Sequence, residues 1–353
     1  FGAINYLFFK LPPAIGILVV AFLASLAVIG TEALFPFLNI AEAVTAFVAE
    51  IEFSQALLEG MLGLLLFAGA LHVNIEDLRA EAWIIALMAT LGVALSTLVV
   101  GLGFYWLTAM PLLAALVFGA LISPTDPVAV LGVLRQADLP KSLETKIAGE
   151  SLFNDGVGYV VFLLLVGLAF PAAGAHADAS VTGVALFFAK EALGGALLGA
   201  VLGWCVFQVM KRIDDYPLEI LLSLGLAFGG YELAVALHVS GPIMAVVAGL
   251  FIGNTGAKFG MSEQTRQHLN VFWTLIDEML NAVLFLLIGV EIFAVTFNWD
   301  TMTTGLAAIG LALAGRLVAV AVPIALLSPF RGYSKGVVPI MTWGGLKLCL
   351  IHI

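Results

Sequence analysis

Two carboxylates sit deep inside apolar stretches of the chain: Asp126 in Ile122-Ser123-Pro124-Thr125-Asp126-Pro127, and Asp155 in Glu150-Ser151-Leu152-Phe153-Asn154-Asp155-Gly156. Each lies nine residues from the nearest flanking base, Arg135 for Asp126 and Lys146 for Asp155. At about 1.5 Å per helical residue, both fall about 13 Å inside a hydrocarbon layer about 30 Å thick, close to its midplane. An ionisable group there costs at least about 2.5 kcal/mol on the mildest insertion scale, so it points to an ion or proton path.

The backbone around Asp126 is as informative as its side chain. Pro124 and Pro127 remove two donors and clash with the preceding turn, so a helix running through this stretch must break or unwind. The freed carbonyls can persist in a bilayer only if buried in protein or lining a wet cavity, and a discontinuous helix at the midplane marks a transporter site. A plain proline kink, with Asp126 capping a half-helix, fits the same residues.

Along the second stretch, at 100° per residue, Glu150 stacks on Asn154 and Ser151 on Asp155, all within an arc of about 140°. Carboxylate, hydroxyl, amide and freed carbonyl oxygens suit a hard cation such as Na⁺, whereas no Cys or His cluster suggests a transition metal. The other reading makes this end of the helix its solvated first turns, so that the apolar crossing begins only at Gly156. Arg316, in Ala314-Gly315-Arg316-Leu317-Val318, is midway along another apolar run and needs a carboxylate partner. Glu150 is the preferred one, because that pairing leaves Asp155 free to exchange its ligand; a purely structural pair fits as well.

A second interruption, Met341-Thr342-Trp343-Gly344-Gly345-Leu346-Lys347, has its glycines at a similar distance from Lys335. Two interrupted segments in corresponding positions are what an inverted repeat with a central site predicts, although a flexible helix end also fits. Glu232, Asp277, Glu278, Asn281 and Glu291 are read as satisfied by neighbouring helices or placed at interfaces, not as ligands. Lys190 beside Glu191 reads as a local or snorkelling pair. Gly195, Gly199 and Gly203, spaced by four, read as an intramolecular helix contact.

The elements that must position these groups are membrane-spanning helices. Of 353 residues, 62% are hydrophobic and 11% charged, and the mean hydropathy is +1.12; this is the composition of an all-α polytopic membrane protein. Eleven apolar runs occupy roughly 12–30, 54–73, 83–108, 112–134, 147–170, 182–210, 217–237, 241–257, 270–297, 303–329 and 336–353. Lys10, Arg79, Arg135, Lys141, Lys146, Lys211, Arg212, Lys258, Arg266, Arg331 and Lys335 fall in every second connection, and the intervening loops carry no base. The positive-inside rule therefore puts those basic loops in the cytoplasm of a multi-pass cell (inner) membrane protein.

The net charge of −10 owes much to Glu32, Glu42, Glu50 and Glu52 in one outer loop, and nucleic acid is not an expected partner. Cys205 and Cys349 both sit in apolar runs and read as small core residues. The chain opens on Phe1 and stops inside its last apolar run, so residues 1–353 are expected to be one transmembrane domain, a fragment lacking its first helix and its end.

Taken in order, Thr125-Asp126-Pro127, Glu150-Ser151-Leu152-Phe153-Asn154-Asp155, Ser240-Gly241, Asn281 with Phe285-Leu286-Leu287-Ile288-Gly289, Ala314-Gly315-Arg316 and Gly344-Gly345-Leu346 resemble the NhaP-type sodium/proton antiporters. These belong to the monovalent cation:proton antiporter-1 family, which includes the animal sodium/proton exchangers. The resemblance covers nearly the whole chain. It implies a homodimeric inverted-repeat fold of about thirteen helices, of which this chain holds eleven, with two crossed, unwound helices broken at Pro124, Pro127, Gly344 and Gly345. Ion-binding core helices would be those at about 54–170 and 270–353, with the remainder mainly dimerisation scaffold.

By the match, Asp155 is the principal Na⁺/H⁺ carboxylate, Glu150 and Ser151 assist, Thr125 offers its carbonyl, Asp126 acts through water or holds the unwound region, and Arg316 pairs with Glu150. The Na⁺ site would comprise Asp155, Glu150, Ser151 and Thr125, with Asn154 adjoining. Asn154-Asp155, where electrogenic relatives have two Asp residues, implies electroneutral exchange of one cation for one proton. The chain departs from the family pattern at Lys347-Leu348-Cys349 and at Ala68, where relatives often carry an acid.

The function these residues imply is secondary antiport of Na⁺, with Li⁺ or K⁺ as alternatives, against H⁺, serving pH homeostasis. It needs no cofactor and no enzymatic step. Cation and proton would compete for Asp155, with alternating access by rocking of one bundle against the other. A rival from another class is an intramembrane aspartyl protease with Asp126 and Asp155 as its dyad, but it lacks a Gly-x-Gly-Asp string and has no use for Glu150 and Arg316. A channel is a further rival, separated by flux without an obligatory counter-ion.

Overall fold

The computed structural model describes residues 1–35, 55–126, 140–170, 180–291, 298–329, 332–333 and 336–345. Pro127, Arg135, Arg331, Lys335, Lys347 and Cys349 lie outside the described residues. All eleven apolar runs contain a helix, and among the described residues there is no strand. Two short helical turns, Gly2–Ile4 and Asn5–Phe9, precede them.

In chain order the helices are α1 (Pro13–Leu34), α2 (Gln55–Leu71), the short α3 (Ile75–Ala80), α4 (Ala82–Leu107), α5 (Leu112–Ile122) and α6 (Lys141–Ala169). They continue as α7 (Val181–Met210), α8 (Tyr216–Ala236), α9 (Gly241–Phe259), α10 (Glu263–Glu291), α11 (Trp299–Leu327) and α12 (Val337–Gly344). Among the described residues, eight are long and apolar enough to cross a membrane. α5 and part of α2, Gly60–Leu71, are shorter apolar helices.

Helix starts follow from local chemistry. The side chains of Asn74, Ser180, Asp215, Ser240 and Asn298 each accept a hydrogen bond from an N–H of the first turn they precede, satisfying donors that have no partner inside the helix. Pro13, Pro217 and Pro242 stand at first-turn positions where a missing N–H costs nothing. Two helices contain a π-helical turn, Met88–Gly92 in α4 and Ile252–Gly256 in α9. In the second of these, Asn254 donates to Val73 and Leu250 carbonyls and accepts from Ile75 N–H, which fastens the α2–α3 connection to α9.

Two apolar clusters hold the bundle together. One packs Phe67 and Leu71 of α2 with Tyr231 of α8, Met244 of α9 and Trp273 of α10. The other packs Ile84, Ile85 and Met88 of α4 with Ile147 of α6, Val320 of α11 and Met341 of α12. The glycine seam of α7 faces α9, where Cβ atoms at Gly195 and Gly199 would strike the carbonyls of Ser240 and Met244, so its use is intramolecular.

Candidate functional site

Helix α5 ends where the prolines require it. Ile122 is its last residue, and Ser123, Pro124, Thr125 and Asp126 continue without helical structure. Both the N–H and the hydroxyl of Ser123 donate to the Ala120 carbonyl, at 3.2 and 3.0 Å, closing one of the acceptors that the break leaves open. The Pro124 ring lies against α6 at Gly158, where a Cβ would collide with the ring, so glycine is what lets the unwound segment approach the helix closely.

α6 supplies partners to that segment. The Ser151 hydroxyl donates to the Thr125 carbonyl at 2.5 Å, the Asn154 amide donates to the Thr125 hydroxyl at 2.8 Å, and Thr125 N–H donates to the Asn154 amide oxygen at 3.4 Å. Thr125, Ser151 and Asn154 are all buried. The backbone N–H and carbonyl of Thr125 are thus taken up by protein, as a segment without helical hydrogen bonds inside lipid requires.

Asp155 is the central residue of the 29-residue α6. It is partly exposed as a residue, but its Oδ1 atom is buried and has no hydrogen-bond partner. It lines a cavity of about 20 Å³ with Leu62, Ala120, Leu121, Pro124, Gly158, Tyr159 and Phe162, room for about one water-sized guest. Asp126 lies within electrostatic range of Asp155. Among the described residues no three His, Cys, Asp or Glu side chains converge to hold a metal, so any cation here would draw on hydroxyl, carbonyl and water oxygens beside the carboxylates.

Glu150 and Arg316 meet. Both guanidinium Nη groups donate to the Glu150 carboxylate, one of them at 2.9 Å, and Nη2 also donates to the Met341 carbonyl of α12 at 2.7 Å. Glu150 and Arg316 are 2% and 3% exposed. Both Glu150 oxygens are therefore occupied by the fork, and the arginine links α6, α11 and α12. Gly345, which follows α12, abuts the guanidinium so closely that a Cβ there would overlap it. Gly344, the other glycine expected at the second interruption, is the last residue of α12, and the segment beyond Gly345 lies outside the described residues.

The Met341 carbonyl as a partner of Arg316, and the burial of Lys146 one turn before Glu150, have no signal in the sequence. The Met341 carbonyl is a backbone group, and which carbonyl an arginine meets depends on how α12 ends. Lys146 is not the solvated marker of a membrane edge. It is 7% exposed, pairs with Glu81 at 3.0 Å, donates to Ser142 at 2.5 Å, and lies 5.9 Å from the Tyr333 ring centroid. The depth of Asp155 follows instead from its place at the centre of α6.

Known proteins agree with this architecture. The family model described as sodium/hydrogen exchanger, transmembrane, matches residues 1–352. The Na(+)/H(+) antiporter NhaP of Pseudomonas aeruginosa is 45% identical over 354 residues, spanning 98% of this chain and 82% of that protein. The Na(+)/H(+) antiporter NhaH of Halobacillus aidingensis is 35% identical over 320 residues, 88% of this chain and 76% of its own length. The sodium proton antiporter MjNhaP1 of Methanocaldococcus jannaschii shares the fold, with a TM-score of 0.75 over 99% of this chain and 82% of that chain at 18% identity. A helical polytopic chain matched along nearly its whole length in this way belongs to the transmembrane sodium/hydrogen exchanger family.

Proposed function

We propose that this chain is a secondary antiporter that exchanges Na⁺, or a related monovalent cation, for H⁺ across the cell membrane. The observation that carries the reading is the state of Asp155: one buried oxygen without a protein partner, beside an unwound segment, with neighbouring Glu150 already neutralised by Arg316. Relatives at 45% and 35% identity are named Na(+)/H(+) antiporters, which supports the same reading.

A carboxylate that accepts either a cation or a proton, but not both, makes each ligand weaken the other, and exchange follows from that competition. Asp155 plays this part, Thr125, Ser151 and Asn154 hold the unwound strand and offer oxygens to the cation, and Asp126 adds negative potential from the break. Glu150 acts through its pair with Arg316, which neutralises its charge beside Asp155. Asn154 leaves Asp155 as the single exchanging carboxylate, which fits one cation for one proton. The basic loops face the cytoplasm, the working unit is a homodimer, and the helices at about 54–170 and 270–353 form the ion-binding core against a dimerisation scaffold.

Asp155→Asn removes the exchangeable charge while preserving shape. In proteoliposomes loaded with a pH-sensitive dye, this variant is expected to show no Na⁺-driven proton movement, whereas the unaltered protein responds to added Na⁺. Substantial exchange by the variant would overturn the mechanism.

A further inference from the structure

Asp277 is the central residue of α10, as Asp155 is of α6. A half-buried carboxylate at mid-helix in a membrane demands a reason, and packing does not supply one. It accepts from the Asn281 amide at 3.2 Å, and it lies within electrostatic range of His72, of Glu278 and of Asp126 in the unwound segment. Asp126 in turn lies within range of Asp155.

Thr274, Asp277 and Asn281 are spaced by three and four, so they share one face of α10. At the N-terminal end of that row the Thr274 hydroxyl and the His72 Nε2 atom are 3.3 Å apart. His72 is exposed and immediately follows α2, a few residues before Glu76 and Asp77, which pair with Lys258 and Lys141. Thr274 and Asp277 therefore share one face of α10, with His72 against Thr274 at one end and Asp126, itself within electrostatic range of Asp155, within range of Asp277.

We propose that Asp277 is a staging residue for the transported cation: it draws the ion in from the face that carries the basic loops and passes it toward Asp126 and Asp155. This inference rests on the antiport reading and adds a residue to it. A recessed carboxylate between low-dielectric walls concentrates counter-ions locally, by about tenfold or more; sharing a face with Thr274, which meets exposed His72, Asp277 acts on capture from that side. Turnover at saturating cation is set at Asp155 and is untouched.

The test measures the KM for Na⁺ separately from each face of the full chain, in right-side-out and inside-out vesicles. Asp277→Asn is expected to raise the KM on the basic-loop face by about tenfold, leave kcat and the opposite-face KM unchanged, and be rescued by Asp277→Glu. Two further variants act at exposed His72, where substitution does not threaten folding: His72→Lys should raise the same one-sided KM and His72→Glu should lower it. Unchanged KM values, equal changes on both faces, or a fall in kcat alone would overturn the proposal while leaving antiport standing. An unaltered protein that exchanges nothing would instead remove the antiport reading, and this one with it.

Discussion

A single guanidinium decides much of the local order around the site. Arg316 satisfies both oxygens of Glu150 and a free carbonyl at Met341, and its own charge is neutralised in return. Removing one member of a buried pair strands the other, at a cost of about 3–5 kcal/mol, whereas removing both charges together costs much less. Arg316→Ala is therefore expected to lower the melting temperature sharply in detergent, and Glu150→Gln with Arg316→Gln to recover a large part of the loss. Equal destabilisation by the single and double changes would show that the two side chains act independently. This pairing was legible in the sequence, because a mid-run arginine needs an acid and Glu150 is the one that leaves Asp155 free. The abutment of Gly345 on the guanidinium was not legible: it depends on the path of the chain after α12, which no spacing rule encodes.

At the scale of elements, the break after Ile122 was readable from two prolines, since neither a missing donor nor a ring clash depends on the rest of the fold. What the sequence left open was how the broken strand is satisfied. Asn154 does this by pairing with both the N–H and the hydroxyl of Thr125, a contact between residues 29 positions apart. Asn154→Ala leaves those groups unpaired in a buried setting and should cost about 1–3 kcal/mol, measured as a lower thermal midpoint in the purified protein; an unchanged midpoint would mean that water already serves Thr125. Lys146 shows the opposite limit. Its position beside an apolar run resembles that of any interfacial lysine, and only the fold brings Glu81 and Ser142 to it. Asp277 was set aside for a similar reason: periodicity gives the face of α10 it shares, but not the proximity of His72 and Asp126.

For the whole molecule, hydropathy located a helix in every predicted run, because crossing a bilayer imposes length and composition independently of packing. The pairing of helices was not accessible in that way. Charge balance is the property to test at this scale. Moving one net charge across 100 mV is worth about 2.3 kcal/mol, so one-for-one exchange should give initial rates in proteoliposomes that do not change when a potassium diffusion potential is imposed. A steep voltage dependence would establish a stoichiometry other than one to one.

The pairs Lys141–Asp77 and Lys146–Glu81 bear on which parts of the protein can shift against each other. They stitch the first turns of α6 to α3 and to the start of α4. Pulling Lys146 away from Glu81 would leave an ammonium sealed from water with no counter-charge. The beginning of α6 and the α3–α4 corner must then travel as one block, and the sliding surface of any transport cycle has to run elsewhere in the bundle.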